Sequence, residues 1–293
     1  MNIEKNLRLP GLTLADRLSG GRLLLDGAMG TMLYAFGCSR AEPSEMAVLN
    51  SPETVKKIHA AYRDAGAHLL TTNSFQAHRL ALERHGLGDC LEAINREAVA
   101  LARGAAEGRC YVVASIGPPG RLLSPLGDQS FREAVRAYRE QIAILEDAGV
   151  DGFLLETFAD LLELQAALQA ARDVTRLPVI ASVALVGTQV DERLLTPEAA
   201  ARLAEAMGAM AAGVNCMDPR ESGRALSRMR AVTSLPLVAQ PSAGLPDKNG
   251  DYPVSPEEFR MWGEQLVELG ATLLGGCCGT TPAHIAQLAR VLS

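Results

Sequence analysis

The chain has 293 residues, 48% of them hydrophobic and 21% charged, with a formal net charge of −6. This is an ordinary globular composition with room for one large core, and the acidic balance excludes the basic footprint of a nucleic-acid binder. No apolar run reaches the ~18 residues of a membrane span, and the start MNIEKNLRLPGLTLADRL lacks the apolar core of a signal peptide. The expected compartment is the cytoplasm, where disulfides are rare, so the six cysteines read as packing residues, metal ligands or nucleophiles.

In chain order, residues 1–20 read as an N-terminal extension with a short helix closing the bottom of the fold. Eight short apolar runs follow: RLLLDG (22–27), HLLTTN (68–73), CYVVASIG (110–117), GFLLET (152–157), PVIASVAL (178–185), AAGVNC (211–216), PLVAQP (236–241) and ATLLGGC (271–277). Between them lie stretches with helical spacing. In FREAVRAYREQIAILEDAG, Phe131, Ala134, Val135, Tyr138, Ile142 and Leu145 share one face. Ser51-Pro52-Glu53, Thr196-Pro197-Glu198 and Ser255-Pro256-Glu257 each set a capping hydroxyl before a proline at the first helical position. Gly66, Gly149 and Gly270 stand where left-handed helix ends are expected.

Eight apolar strands alternating with helices predict an α/β fold, a single (β/α)8 TIM barrel over residues 1–293. An open doubly wound sheet is the second choice, and no G-x-G-x-x-G follows the first strand to support it. A barrel places its active site at the C-terminal strand ends. Here those ends are Asp26-Gly27, Thr72-Asn73, Ser115, Glu156-Thr157, Ala184, Asn215-Cys216, Gln240 and Cys277-Cys278. Cys216, Cys277 and Cys278 therefore arrive at one rim, whereas Cys38, Cys90 and Cys110 fall in a loop, a helix start and a strand start and read as packing. The five histidines read as ordinary core or surface residues.

Three thiolates without a fourth protein ligand describe a catalytic zinc site with one open position. A strained vicinal disulfide, a phosphate cradle at the helix beginning Thr281-Pro282, and plain packing are the alternatives. None of them calls for three thiols at one rim. Zinc ionises a coordinated thiol, so the open position suits a substrate thiol. Asp26 and Glu156 suit an ammonium group and the backbone of DGAMGT suits a carboxylate, which together describe an amino-acid thiol. Capping of a turn by Asp26 and pairing of Glu156 with an arginine remain the plain alternatives.

The motifs LLLDGAMGT, TTNSF, IGPPG, ETFAD, GVNC and GGCCGTTPAHI, in this order, resemble the homocysteine S-methyltransferase family from about residue 20 to the end. The resemblance implies a zinc-bearing barrel with Cys216, Cys277 and Cys278 as ligands and homocysteine as substrate. It puts Asp26, Gly27, Ala28, Gly30, Thr72, Asn73, Glu156, Asn215 and Ser242 in the substrate pocket. The stretches AQPSAGLPDKNGDYPVSP, TTNSFQAHRLALERHGL and PLGDQSFREAV are similar to the homocysteine module of cobalamin-dependent methionine synthase. That similarity implies a methylcorrinoid donor, either methylcobalamin or a separate corrinoid protein or module, brought from outside this barrel. Ser242 stands where that loop usually carries asparagine, and SVALVGTQVDERLL departs from the synthase pattern. The other readings are a small donor such as S-methylmethionine or betaine, a zinc hydrolase or lyase, and a docking platform whose zinc is structural.

Overall fold

The computed structural model describes residues 11–185, 195–248 and 250–292, so the segment VGTQVDERL, within the stretch that departs from the synthase pattern, lies outside the described residues. Eight parallel strands follow in chain order. They are β1 (Leu23–Leu24), β2 (Leu69–Thr71), β3 (Tyr111–Ile116), β4 (Gly152–Phe158), β5 (Val179–Val183), β6 (Ala211–Asn215), β7 (Leu237–Gln240) and β8 (Ala271–Leu274). Hydrogen bonding runs β1-β8-β7-β6-β5-β4-β3-β2. A parallel bridge from Leu25 to Leu69 joins the two outer strands, so the sheet closes into the (β/α)8 barrel. Among the described residues no helix is long and apolar enough to cross a membrane.

Side chains alternate along each strand, and this divides the apolar residues into two sets. Leu24, Val112, Phe153, Val214 and Leu274 face the surrounding helices in the larger core. Leu23, Tyr111, Leu154, Ile180, Val238 and Leu273 belong to a second cluster drawn from all eight strands, the packed interior of the barrel. The helix Leu14–Gly20 closes its lower end. A Thr13–Asp16 capping box starts that helix, Leu14 and Leu18 (one turn apart) enter the interior cluster, and the Tyr111 hydroxyl donates to Leu12 O at 2.8 Å.

The helix signals hold with one exception. Thr196 and Ser255 accept bonds from Ala199 N and Glu258 N at 3.1 and 3.2 Å. Ser51 makes no such bond. Its ψ of 50°, against 154° and 160° at the other two, follows from the short helix Ala47–Asn50 that ends against it, and aims the hydroxyl away. The strands stop sooner than the apolar runs, β1 after two residues and β8 before the glycines. At the end of β1 the cause is visible, since the Thr71 amide bonds the Asp26 carboxylate rather than a strand carbonyl.

Candidate active site

Above the apolar interior the inward positions turn polar, and a cavity of about 250 Å³ opens there. It is lined by the Gly27–Thr31 turn, Ser44, Thr71, Thr72, Asn73, Phe75, Ser115, Glu156, Thr157, Gln240 and all three rim cysteines. Of the residues expected in the substrate pocket, Gly27, Ala28, Gly30, Thr72, Asn73 and Glu156 line it. Asp26, Asn215 and Ser242 are buried behind the wall.

The cysteines converge from two strand ends. Cys216 leaves β6 with φ of 57°, its amide donating to Gln240 O at 3.1 Å. Cys277 and Cys278 follow the glycines after β8, and the Pro241–Ala243 backbone laces onto both: Cys277 N donates to Pro241 O at 2.8 Å and Ala243 N to Cys278 O at 2.9 Å. The sulfur of Cys278 lies 3.6 Å from that of Cys216 and 4.0 Å from that of Cys277. A tetrahedral zinc with Zn–S bonds of about 2.3 Å needs sulfurs roughly 3.8 Å apart, so this donor set fits the ion. No fourth His, Cys, Asp or Glu joins the cluster among the described residues. Contacts with Cys216 and Cys277 push the Cys278 thiol below its ordinary value, and Tyr252 acts in the same direction. Ser242 is buried near this cluster, its amide donating to Met217 O at 2.8 Å, and it lowers the Cys216 thiol against the effect of burial.

Each carboxylate is fixed by donors. The amide and hydroxyl of Thr71 donate to Asp26 at 2.8 and 2.9 Å. Burial still pushes Asp26 up to about 8. The Ser115 hydroxyl donates to one oxygen of Glu156 and Asn215 Nδ2 to the other at 3.3 Å. Burial raises Glu156 to about 7, against the Ser115 bond and with the Cys278 charge adding to it.

The turn after β1 is clamped to the cysteine turn. The Tyr62 hydroxyl points at Ala28 O (2.7 Å) and Thr280 O (3.1 Å). Thr280 Oγ1 accepts from Ala28 N at 3.1 Å and donates to Cys277 O at 2.7 Å. Glycine is required on both sides of this clamp, because a Cβ on Gly27 or Gly276 would lie 2.8 or 2.4 Å from Thr280 Oγ1. Ala28 therefore spends its amide on Thr280. The amides opening the helix Gly30–Ala35 have no intrahelical partner.

Outside the cavity the packing expectations stand. Cys110 donates to Ala67 O at 3.1 Å, and burial raises its thiol to about 12. None of the histidines joins the cysteine cluster. Ser115, Thr157 and Gln240, placed at the rim by the sequence but given no role there, line the cavity together with Thr71, which sequence reasoning did not name. Gln240 Oε1 has no partner among the described residues. Tyr62 and Thr280 lie outside the strands and carried no sequence signal for their role.

A family model described as homocysteine S-methyltransferase matches residues 23–292. The chain belongs to the homocysteine S-methyltransferase family. Its membership takes in every residue of the cavity just described. The chain is 34% identical to the methionine synthase of Mycobacterium tuberculosis and 33% to that of Mycobacterium leprae, each match covering 96% of it. It spans a quarter of the length of these curated relatives. Among solved structures, the metallated homocysteine methyltransferase MmuM of Escherichia coli is 28% identical with a TM-score of 0.79, over 92% of this chain and 96% of that one. A methyltransferase from Methanosarcina mazei, 13% identical with a TM-score of 0.60, shares the fold.

Proposed function

We propose that this barrel transfers a methyl group to the thiol of homocysteine, giving methionine, with zinc held by Cys216, Cys277 and Cys278 and a methylcorrinoid as donor. The observation that carries this reading is the convergence of three thiols on the same cavity as a half-buried Glu156 oriented by Ser115 and Asn215. When bound, zinc supplies an open position at which a thiol ionises near neutral pH.

The chain's own residues do the rest. Glu156, its two oxygens fixed by Ser115 and Asn215, receives the substrate ammonium. The first-turn amides of Gly30–Ala35 receive its carboxylate. Asp26 holds the end of β2 through Thr71, and burial keeps its carboxyl protonated up to about pH 8 behind the pocket. Phe75 and Met29 line the mouth with apolar surface and keep water from the transferring methyl. Substrate held at both ends in this way has its sulfur on the cysteine side, positioned for in-line attack on the methyl carbon.

The corrinoid donor is supported by the similarity to methionine synthases. A small donor such as S-methylmethionine or betaine is the second reading, and the match to the homocysteine methyltransferase MmuM supports the homocysteine half of either. Zinc content and proton release on homocysteine addition, in wild type and Cys216→Ala, test the thiol half. One zinc per chain and a released proton, both lost in the variant, are expected; zinc retention by Cys216→Ala overturns it. Methionine formation from methylcobalamin, S-methylmethionine and betaine, assayed side by side, decides the donor.

A further inference from the structure

Two residues at the cavity, Thr157 and Cys216, hold left-handed backbone with φ of 66° and 57° and are not glycine. For a β-branched residue such as threonine this conformation costs roughly 1–3 kcal/mol and persists only where its surroundings impose it. Thr157 sits in an irregularity of β4. Leu155 pairs with Ala181 and Phe158 with Val183, so two residues of β4 oppose one of β5. Such a bulge re-aims the side chains beside it, and here it leaves Glu156 facing the cavity while Phe158 returns to the outer core.

One buried side chain holds this arrangement. Asn215 Oδ1 accepts the Thr157 amide and the Ser182 hydroxyl, both at 2.9 Å. Its Nδ2 donates to Thr157 Oγ1 at 2.7 Å and to Glu156 Oε2 at 3.3 Å. The amide thus spans the bulge at backbone and side chain, and Asn215 is itself the residue before Cys216. We propose that Asn215 is a positioning residue rather than a substrate ligand: its side chain clamps the β4 bulge, and so fixes Glu156 and the Cys216 thiol in register with each other. The inference rests on the proposed function for what Glu156 and Cys216 bind, and the geometry of the clamp stands without it.

The clamp predicts a linked pair of losses. In Asn215→Ala, zinc affinity (chelator competition on the metal-free protein) and homocysteine affinity (calorimetry on the zinc-loaded protein) both fall about 10–100-fold, the usual cost of an outer-shell partner. Glycine adopts the left-handed backbone unaided. Thr157→Gly added to Asn215→Ala therefore restores at least about tenfold of the loss relative to Asn215→Ala alone, a coupling that additive structural damage does not produce. A merely structural asparagine lowers the melting temperature and leaves both affinities in place. Affinities within about twofold of wild type in folded Asn215→Ala, or no rescue by Thr157→Gly, overturn the proposal. Should Asn215→Ala not fold, Ser182→Ala, which takes away one partner of the clamp, is expected to weaken zinc about threefold, and an unchanged affinity counts against it equally. If wild type binds zinc but not homocysteine, the functional reading fails while the zinc series still decides the role of Asn215.

Discussion

The two ends of the barrel interior use the same strands and the same alternation and have opposite characters. Below, Leu14 and Leu18 close a fully apolar cluster with no strained backbone. Above, the same inward register carries Ser115, Glu156, Ser182, Asn215 and Gln240, two left-handed non-glycine residues and carboxylates held away from their ordinary ionisation. The contrast teaches where stability is made and where it is spent. Strain and suppressed ionisation at the top are tolerable because the apolar interior cluster below carries neither. The third left-handed non-glycine residue, Glu107, lies outside that cluster at a helix end.

That division fails if damage at one end spreads to the other. Cys277→Ser is expected to reduce methyl transfer by well over the roughly 100-fold that loss of an outer-shell partner costs. Its metal-free form should melt within about 2 °C of wild type, since no core contact is lost. Leu154→Ala is the converse, costing about 2–5 kcal/mol in urea unfolding with kcat/KM per folded molecule unchanged. Loss of homocysteine binding in folded Leu154→Ala would show the two ends to be one cooperative unit.

Smaller effects sharpen the comparison within the upper end. Glu156→Gln should raise KM for homocysteine about tenfold or more, with kcat less affected, as loss of a ground-state contact does. Stability should move the other way. Asp26 and Glu156 hold their protons to about 8 and 7 in the folded, metal-free protein, against ordinary values of 3.8 and 4.5. Their contribution is fully present below pH ~4 and is lost as pH rises through 7 and 8. Thermal melts of the metal-free protein should therefore decline across that range, and the decline should shrink in Glu156→Gln and in Asp26→Asn. A slope unchanged in both variants would mean that neither group is protonated in the fold.

Much of this was legible in the sequence because period-2 strands and capped helices report themselves locally. All eight strands and the three converging cysteines follow from such patterns, whereas the short helix of the N-terminal stretch is expected without any reading of its capping box or of the two leucines, Leu14 and Leu18, that plug the interior. The β4 bulge does not, since GFLLET reads as six regular positions and the extra residue exists only in its pairing with β5. Asn215 reads as a polar strand end pointing into the pocket, and its commitment to the Thr157 amide depends on a neighbour 58 positions away. Tyr62 looks like one more apolar position on an amphipathic helix, although its hydroxyl joins the turns after β1 and β8.

The smallest expected effect lies away from both ends. His59, on the helix Pro52–Asp64, is fully buried, and neither ring nitrogen has a partner among the described residues. Burial alone drives it down to about 4 from 6.5, so it is neutral in the folded protein at pH 7. A neutral imidazole without partners still forfeits the hydrogen bonds it makes to water when unfolded. His59→Leu, near it in size, should gain about 1 kcal/mol and leave homocysteine binding untouched, because His59 does not line the cavity. The sign with pH is opposite to that of the carboxylates: the depressed value gives stability present above 6.5 and lost as pH falls toward 4. The variant should therefore gain most on the acid side, where wild type must either charge this ring in the core or unfold. A loss of stability in His59→Leu would mean instead that the ring is satisfied by an interior water, and the helix would then owe part of its seat to a polar contact.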